Sequence, residues 1–351
     1  MASDTAQRAL LMAGPVIEAT TVATVPRRAP GRGEVTITVL ACGICGSDVH
    51  AWRQDAGYEW VRTPVVLGHE IVGVVRVAGP GVDPDWVGRR VVPVGINGCG
   101  TCRTCRAGLG QICPERSALG LSSDGGAAEE VTVRAEHLIE VSAEVPAEQM
   151  VLVEPTSVAV HALSHFGQLP PRTRVVVSGP GPIGLLSAWL LDRRGMEVVV
   201  TGTHRDEAVR LPAAARLGLR TVLAEDGALP FTPDAWVEAS GSRAGLAQAV
   251  GSVAPGGTVV VVALFARAPQ VDINVLVRRE VKLLGSYASR PADYHSAARE
   301  LSLGEDLATA LVTIFPLEDA LMALAATAGG AVTKAALVPG ARLTDHQEDL
   351  S

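Results

Sequence analysis

The sequence predicts an α/β protein of two domains, one strand-rich and barrel-like, the other built on a doubly wound parallel sheet. Three observations carry this. Short β-branched runs broken by Gly and Pro fill the chain from Val16 to Val141. After Glu154, strands and helices alternate, the signature of a parallel sheet covered on both faces. A glycine motif, Gly179-Pro-Gly181-Pro182-Ile183-Gly184, directly follows the first strand of that alternation. A chain of 351 residues is too long for one ordinary core, and 48% hydrophobic residues is ample for burying two.

In order, strands are expected at Glu34–Leu40, Ile71–Val77, Arg90–Val94 and Glu129–Val133. The helical spacing of Val158, His161, Ala162 and His165 predicts a helix over Pro155–Gly167. Strand Arg174–Ser178, helix Pro182–Arg194, strand Glu197–Thr201 and helix Asp206–Leu217 follow. Strands Ala235–Ala239 and Thr258–Ala263 flank a helix at Arg243–Val253. The last part of the chain predicts helices at Asp293–Leu303 and Leu317–Ala326, a strand at Lys334–Val338 and a frayed, polar Ala341–Ser351.

Composition narrows the function. A net charge of −7 without any Lys/Arg block argues against nucleic acid as a partner. Met1–Gly14 lacks the pattern of a secretory signal. The longest apolar runs, near Gly181–Leu191 and Thr258–Phe265, fall short of the roughly 18 residues of a membrane span. A soluble, cytoplasmic protein is expected.

Cys99, Cys102, Cys105 and Cys113 stand in a C-x2-C-x2-C-x7-C pattern with small residues between them. Four thiolates at this spacing can close a tetrahedral shell around one Zn2+, whereas disulfides would need an exporting sequence. A closed four-cysteine site leaves no coordination position for substrate, so this lobe, about residues 95–115, is expected to be structural.

In the glycine motif, Gly179, Gly181 and Gly184 allow a tight turn and close backbone approach, placing a pyrophosphate at the N-terminus of the helix that begins Pro182-Ile183. The end of the second strand selects the nucleotide. An NAD reader places a carboxylate there; this chain has Gly202, Thr203, His204 and Arg205, with no carboxylate until Asp206. A hydroxyl and two basic side chains suit a 2′-phosphate, so NADP is expected over NAD.

A second metal constellation precedes the cysteine lobe. Cys42-Gly-Ile-Cys45-Gly-Ser47-Asp48-Val-His50 is followed by Gly68-His69-Glu70. Thiolate, imidazole and carboxylate suit an open zinc site, with Glu154 to supply the fourth position or hold a water. On one strand, His69 and Glu70 would point to opposite faces, so direct ligation by both needs a local kink. Glu70 is left either as a ligand or one step behind one. Ser47 and Asp48 also read as helix-capping residues.

These motifs, together with Gly73, Gly79 and Val82, Val153-Glu154-Pro155 and Leu284-Gly285-Ser286, resemble the zinc-dependent medium-chain alcohol dehydrogenases over nearly the whole chain. The sorbitol, threonine and polyol branch is nearest in type, since Glu154 stands where simple alcohol dehydrogenases have a second Cys. The resemblance implies a GroES-like catalytic domain from residues 1–156 and 291–351, a Rossmann domain from 157–290, and a substrate cleft lined by residues such as Trp52, Tyr58 and Glu59. It implies Cys45 and His69 as catalytic zinc ligands, Glu70 as a ligand or ligand shuttle, and Cys42 as a spare thiol. It further implies that zinc polarises the substrate oxygen, that Ser47 begins and His50 ends a proton relay, and that Asp48 orients His69.

The expected enzyme is therefore a zinc- and NAD(P)-dependent dehydrogenase of a secondary alcohol or ketone, with a polyol, sugar or cyclitol derivative as substrate and a homodimer or homotetramer as assembly. Simple secondary alcohols, threonine-type amino alcohols and a non-catalytic binding protein are the alternatives. One departure from the family pattern is a short, Pro-rich segment between Gly218 and Trp236. Relatives have room there for another strand and a full helix, so the nucleotide domain is expected to be trimmed.

Overall fold

The computed structural model describes residues 5–303 and 306–340, so the expectation for Ala341–Ser351 lies outside the described residues. The chain forms two compact units, one from the segment up to Glu154 together with the segment from Arg290 onward, the other from Pro155–Ser289.

The first unit is built on a seven-stranded sheet. Its path runs through Leu138–Glu140, Arg90–Pro93, Glu70–Ala78, Glu34–Gly43, Lys334–Val338 and Val312–Pro316, with Glu130–Arg134 also paired to Glu34–Gly43. In the strand Glu34–Gly43, Val35, Ile37, Val39 and Ala41 are all buried, the two-residue period that turns one face to the core. The late strand Lys334–Val338 pairs antiparallel with Glu34–Gly43, placing Ala336 opposite Gly43 and Leu337 opposite Cys42. The C-terminal segment thus reaches the strand that leads into Cys45. A smaller sheet of Thr20–Pro26, Ala6–Met12 and Val65–Val66 adds three strands not assigned from the sequence. On helix Pro291–Ser302, the fully buried Tyr294 accepts the Gly95 N–H through its hydroxyl at 2.9 Å.

The second unit is a six-stranded parallel sheet in the order Arg220–Leu223, Glu197–Gly202, Arg174–Ser178, Ala235–Glu238, Thr258–Val261, Lys282–Gly285. Counted along the chain this is 3-2-1-4-5-6, the doubly wound order whose direction reverses between the first and fourth strands. Val175, Val176 and Val177 are fully buried, as a strand covered on both faces requires.

Two expectations need correcting here. The strand expected to be trimmed survives as Arg220–Leu223; what is missing is the helix, since only a short 3-10 turn, Ala224–Asp226, precedes the strand Ala235–Glu238. The helix expected over Asp206–Leu217 begins only at Arg210. Pro212 explains the delay: in the first turn its missing N–H has no helical partner to lose, whereas a start at Asp206 would drive its ring into the carbonyl four residues earlier.

Tyr294→Phe deletes the partner of a buried N–H and should destabilise the protein by about 1–3 kcal/mol. Urea unfolding followed by circular dichroism checks this, and an unchanged midpoint contradicts it.

Candidate active site

Cys45 precedes the helix Gly46–Arg53, and its N–H donates to Asp48 Oδ2 at 2.8 Å. The helix N-terminus favours an anion at this position, which suits a thiolate. Asp48 is fully buried; its other oxygen accepts the Gly68 N–H at 3.3 Å and stands 3.6 Å from His69 Nδ1. Gly68 has φ +92°, and an added Cβ would lie 2.9 Å from the Ala127 backbone nitrogen. This left-handed turn supplies the kink that adjacent His69 and Glu70 need. His69 stands before the strand and Glu70 opens it. Ligand atoms of Cys45, His69 and Glu70 consequently lie within 4.8 Å of one another. Ser47 Oγ lies 3.4 Å from His69 Nε2.

Sequence reasoning missed Lys334. Its buried ammonium donates to both Glu70 oxygens at 2.6 Å and to the Ile44 carbonyl at 3.1 Å. Burial works against the Lys334 charge, but the Glu70 carboxylate and the Cys45 thiolate outweigh it and hold the pKa above its usual value. Glu70 therefore faces an ammonium with both oxygens. Nothing in the local sequence pattern singled out a lysine in an apolar strand more than 260 residues away from Glu70.

Glu154 lies in the first turn of helix Val153–Ser164, buried, and is not part of the close group. Burial raises its pKa to about 7, opposed by His69 and Lys334 and reinforced by Glu70 and Asp48. For His69, burial favours the neutral ring, yet Asp48 and Cys45 prevail and push its pKa well up. The field that stabilises a proton there also stabilises a metal cation. The donor set of one thiolate, one imidazole and nearby carboxylates fits zinc. His50 sits apart: it is exposed, with Nδ1 2.6 Å from Asp55 Oδ2 and its ring stacked on Tyr58 at 5.2 Å. Trp52 and Tyr58 pack partly buried against the core, while Glu59 accepts the Gly57 N–H at 2.9 Å.

The sulfurs of Cys99, Cys102, Cys105 and Cys113 also lie within 4.8 Å of one another. The Cys99 and Glu115 N–H groups point at Cys113 Sγ at 3.5 and 3.3 Å, and the Cys105 N–H at Cys102 Sγ at 3.4 Å. Hydrogen bonds from Thr101 and the Cys102 backbone lower the Cys99 pKa to about 6, whereas desolvation and its thiol neighbours push Cys105 up to about 12. Four thiols drawn together in this way ionise jointly only around a cation, and the set fits a closed zinc site.

In the second unit, Gly179 has φ +92°, and Gly184 packs against the Gly179 carbonyl too closely for any side chain. Gly181 precedes helix Pro182–Arg193 with open space where a Cβ would stand, a cradle that fits a pyrophosphate above Ile183 and Gly184. A Cβ at Gly202 would come within 2.7 Å of Leu211 and 3.1 Å of Pro180, so packing as well as charge keeps this position bare. Thr203 donates through both N–H and Oγ1 to Asp206 Oδ2 at 2.9 Å, which engages its hydroxyl proton. His204 pairs with Glu207 at 3.1 Å. Arg205 is exposed and forms no ion pair among the described residues.

A zinc-compatible centre and a dinucleotide-type parallel sheet on one chain define a nicotinamide- and zinc-dependent oxidoreductase. The profile of the alcohol dehydrogenase GroES-like domain matches residues 31–143, and that of the glucose dehydrogenase C-terminus matches residues 147–336. The chain is 34% identical over 301 residues to 2-dehydro-3-deoxy-L-galactonate 5-dehydrogenase of Pseudoalteromonas atlantica, covering 83% of this chain and 87% of the relative. It is 33% identical over 304 residues to a sorbitol dehydrogenase of Halalkalibacterium halodurans, covering 82% and 86%. A crystal structure of a zinc-binding dehydrogenase from Sinorhizobium meliloti 1021, bound to NADP, superposes with a TM-score of 0.86 at 26% identity, covering 96% of this chain and 100% of that one. The chain belongs to the zinc-dependent medium-chain alcohol dehydrogenases, in the polyol and threonine dehydrogenase branch, and is an oxidoreductase.

Lys334→Met strands a buried carboxylate and should destabilise the protein by about 3–5 kcal/mol, and adding Glu70→Gln should recover much of that loss. Urea unfolding of the two single variants and the double variant measures the coupling; additive losses would contradict a direct pair.

Proposed function

We propose that the protein interconverts a secondary alcohol and its ketone on a polyol, sugar or sugar-acid substrate, at a zinc centre held by Cys45 and His69. The observation that carries this reading is the convergence of Cys45, His69 and Glu70 within 4.8 Å beside the Ser47 hydroxyl. When bound, zinc would supply Lewis acidity toward the substrate oxygen, and the nicotinamide would exchange the hydride. Because Lys334 holds both Glu70 oxygens, Glu154 is the carboxylate left to complete the set, directly or through a water.

Ser47 Oγ takes the substrate's hydroxyl proton as it releases its own toward solvent, and Asp48 holds His69 in orientation from behind. His50, exposed and hydrogen-bonded to Asp55, exchanges that proton with water. Cys99, Cys102, Cys105 and Cys113 hold the structural zinc. The domain division of the family, 1–156 with 291–351 and 157–290, fits the compact units above to within two residues at each boundary.

NADP is the preferred nucleotide in this reading, with the support narrowed to one side chain. Thr203 is occupied by Asp206 and His204 by Glu207, so Arg205 is the group left to meet a 2′-phosphate. A four-cysteine set suited to zinc supports a reducing, cytoplasmic compartment. The exposed Leu264, Ile273 and Val277 of the second unit support association into a homodimer or homotetramer.

The test is NAD- and NADP-linked oxidation across polyols, sugar acids, amino alcohols and simple secondary alcohols. Cys45→Ala should abolish turnover and lower bound zinc from two to one per chain, and retained turnover refutes the assignment. Arg205→Ala should raise KM for NADP about tenfold while sparing NAD. An equal change with both nucleotides removes the phosphate role.

A further inference from the structure

We infer that Glu238 is a positioning residue for the dinucleotide, fastening the glycine turn in place from below; this rests on the reading of Gly179–Gly184 as the pyrophosphate turn. Glu238 ends the strand Ala235–Glu238, lies opposite Ser178 in the parallel register and is fully buried. These are the central strands where the order of the sheet reverses, the place at which open parallel sheets bind ligands.

Among the described residues, the hydrogen bonds to the carboxylate all come from neutral donors. Oε1 accepts the Ser240 N–H at 3.0 Å, the Ser240 hydroxyl and the Ser178 hydroxyl at 3.4 Å, and Oε2 accepts the Gly241 N–H at 3.3 Å. A buried carboxylate without a cation is unfavourable as a purely structural element. Here it is satisfied by donors from the end of the neighbouring strand, which runs into the glycine turn, and from the loop that follows the fourth strand.

That loop is what the turn rests on. A Cβ at Gly179 would lie 2.6 Å from Ser240 Cα and 2.7 Å from its nitrogen, and one at Gly184 would lie 3.5 Å from Ala239 Cβ. Ser178, immediately before Gly179, also accepts the Trp236 indole N–H at 2.9 Å. The height of the glycine turn is thus set by residues 239–241, and their position is set by Glu238. A glutamine would present an amide donor where Glu238 offers only acceptors, so at least one of these bonds is lost in an otherwise isosteric exchange.

Fluorescence titration of NADH and NADPH against the zinc-loaded full chain tests this. Glu238→Gln should raise Kd for both nucleotides about tenfold at unchanged stoichiometry. Ser240→Ala should show a smaller rise and Ser240→Thr, which keeps the hydroxyl, should remain near wild type. A merely structural role would instead reduce the number of titrated sites while leaving the affinity of the remainder intact, and that result overturns the inference. So does an unchanged Kd at full stoichiometry in Glu238→Gln. If the wild-type chain binds neither nucleotide, the dinucleotide reading itself fails and takes this inference with it.

Discussion

The buried contact between Lys334 and Glu70 is the constraint on which the catalytic unit depends. It ties the last strand of the sheet to the residue beside His69, and the same ammonium reaches the Ile44 carbonyl next to Cys45. One cation therefore fixes two short segments that carry candidate ligands, and it neutralises one of several carboxylates crowded around them. Without it, Glu70, Glu154 and Asp48 would share a low-dielectric region with a thiolate, and like charges held this close raise one another's pKa. The sheet pairing of Ala336 with Gly43 and Leu337 with Cys42 is what delivers Lys334 to this place.

Local motifs were legible in the sequence because their chemistry is local. The cysteine spacing, the glycine turn after a buried strand, and Cys45 with Ser47 and Asp48 each need only a few neighbouring residues to be read. The problem of two adjacent side chains pointing to one metal was also visible, and its resolution by Gly68 follows from a conformation that glycine adopts readily. Lys334 was not legible, since its role exists only once the C-terminal strand has paired. Glu238 escaped for a similar reason: its donors come from a loop and a neighbouring strand brought together by the parallel sheet.

The nucleotide unit shows where pattern reading overreached. A short Pro-rich segment was read as a lost strand and helix, but an edge strand of four residues, Arg220–Leu223, needs little sequence and survives. The second-strand terminus was read as three groups available to a phosphate. Once folded, Thr203 and His204 are engaged with Asp206 and Glu207, and the charge pattern reduces to Arg205. Side chains near a helix start satisfy one another first, which a linear reading of donors does not register.

The central claim is that this chain holds two chemically different zinc centres, with a single thiolate at the one near Lys334. Zinc-edge X-ray absorption on the purified protein tests it most directly. The account predicts a mixed first coordination sphere, in which sulfur from one all-cysteine centre is accompanied by nitrogen and oxygen ligands from a second centre. A pure four-sulfur shell would contradict it, because it would leave Cys45 and His69 without the metal.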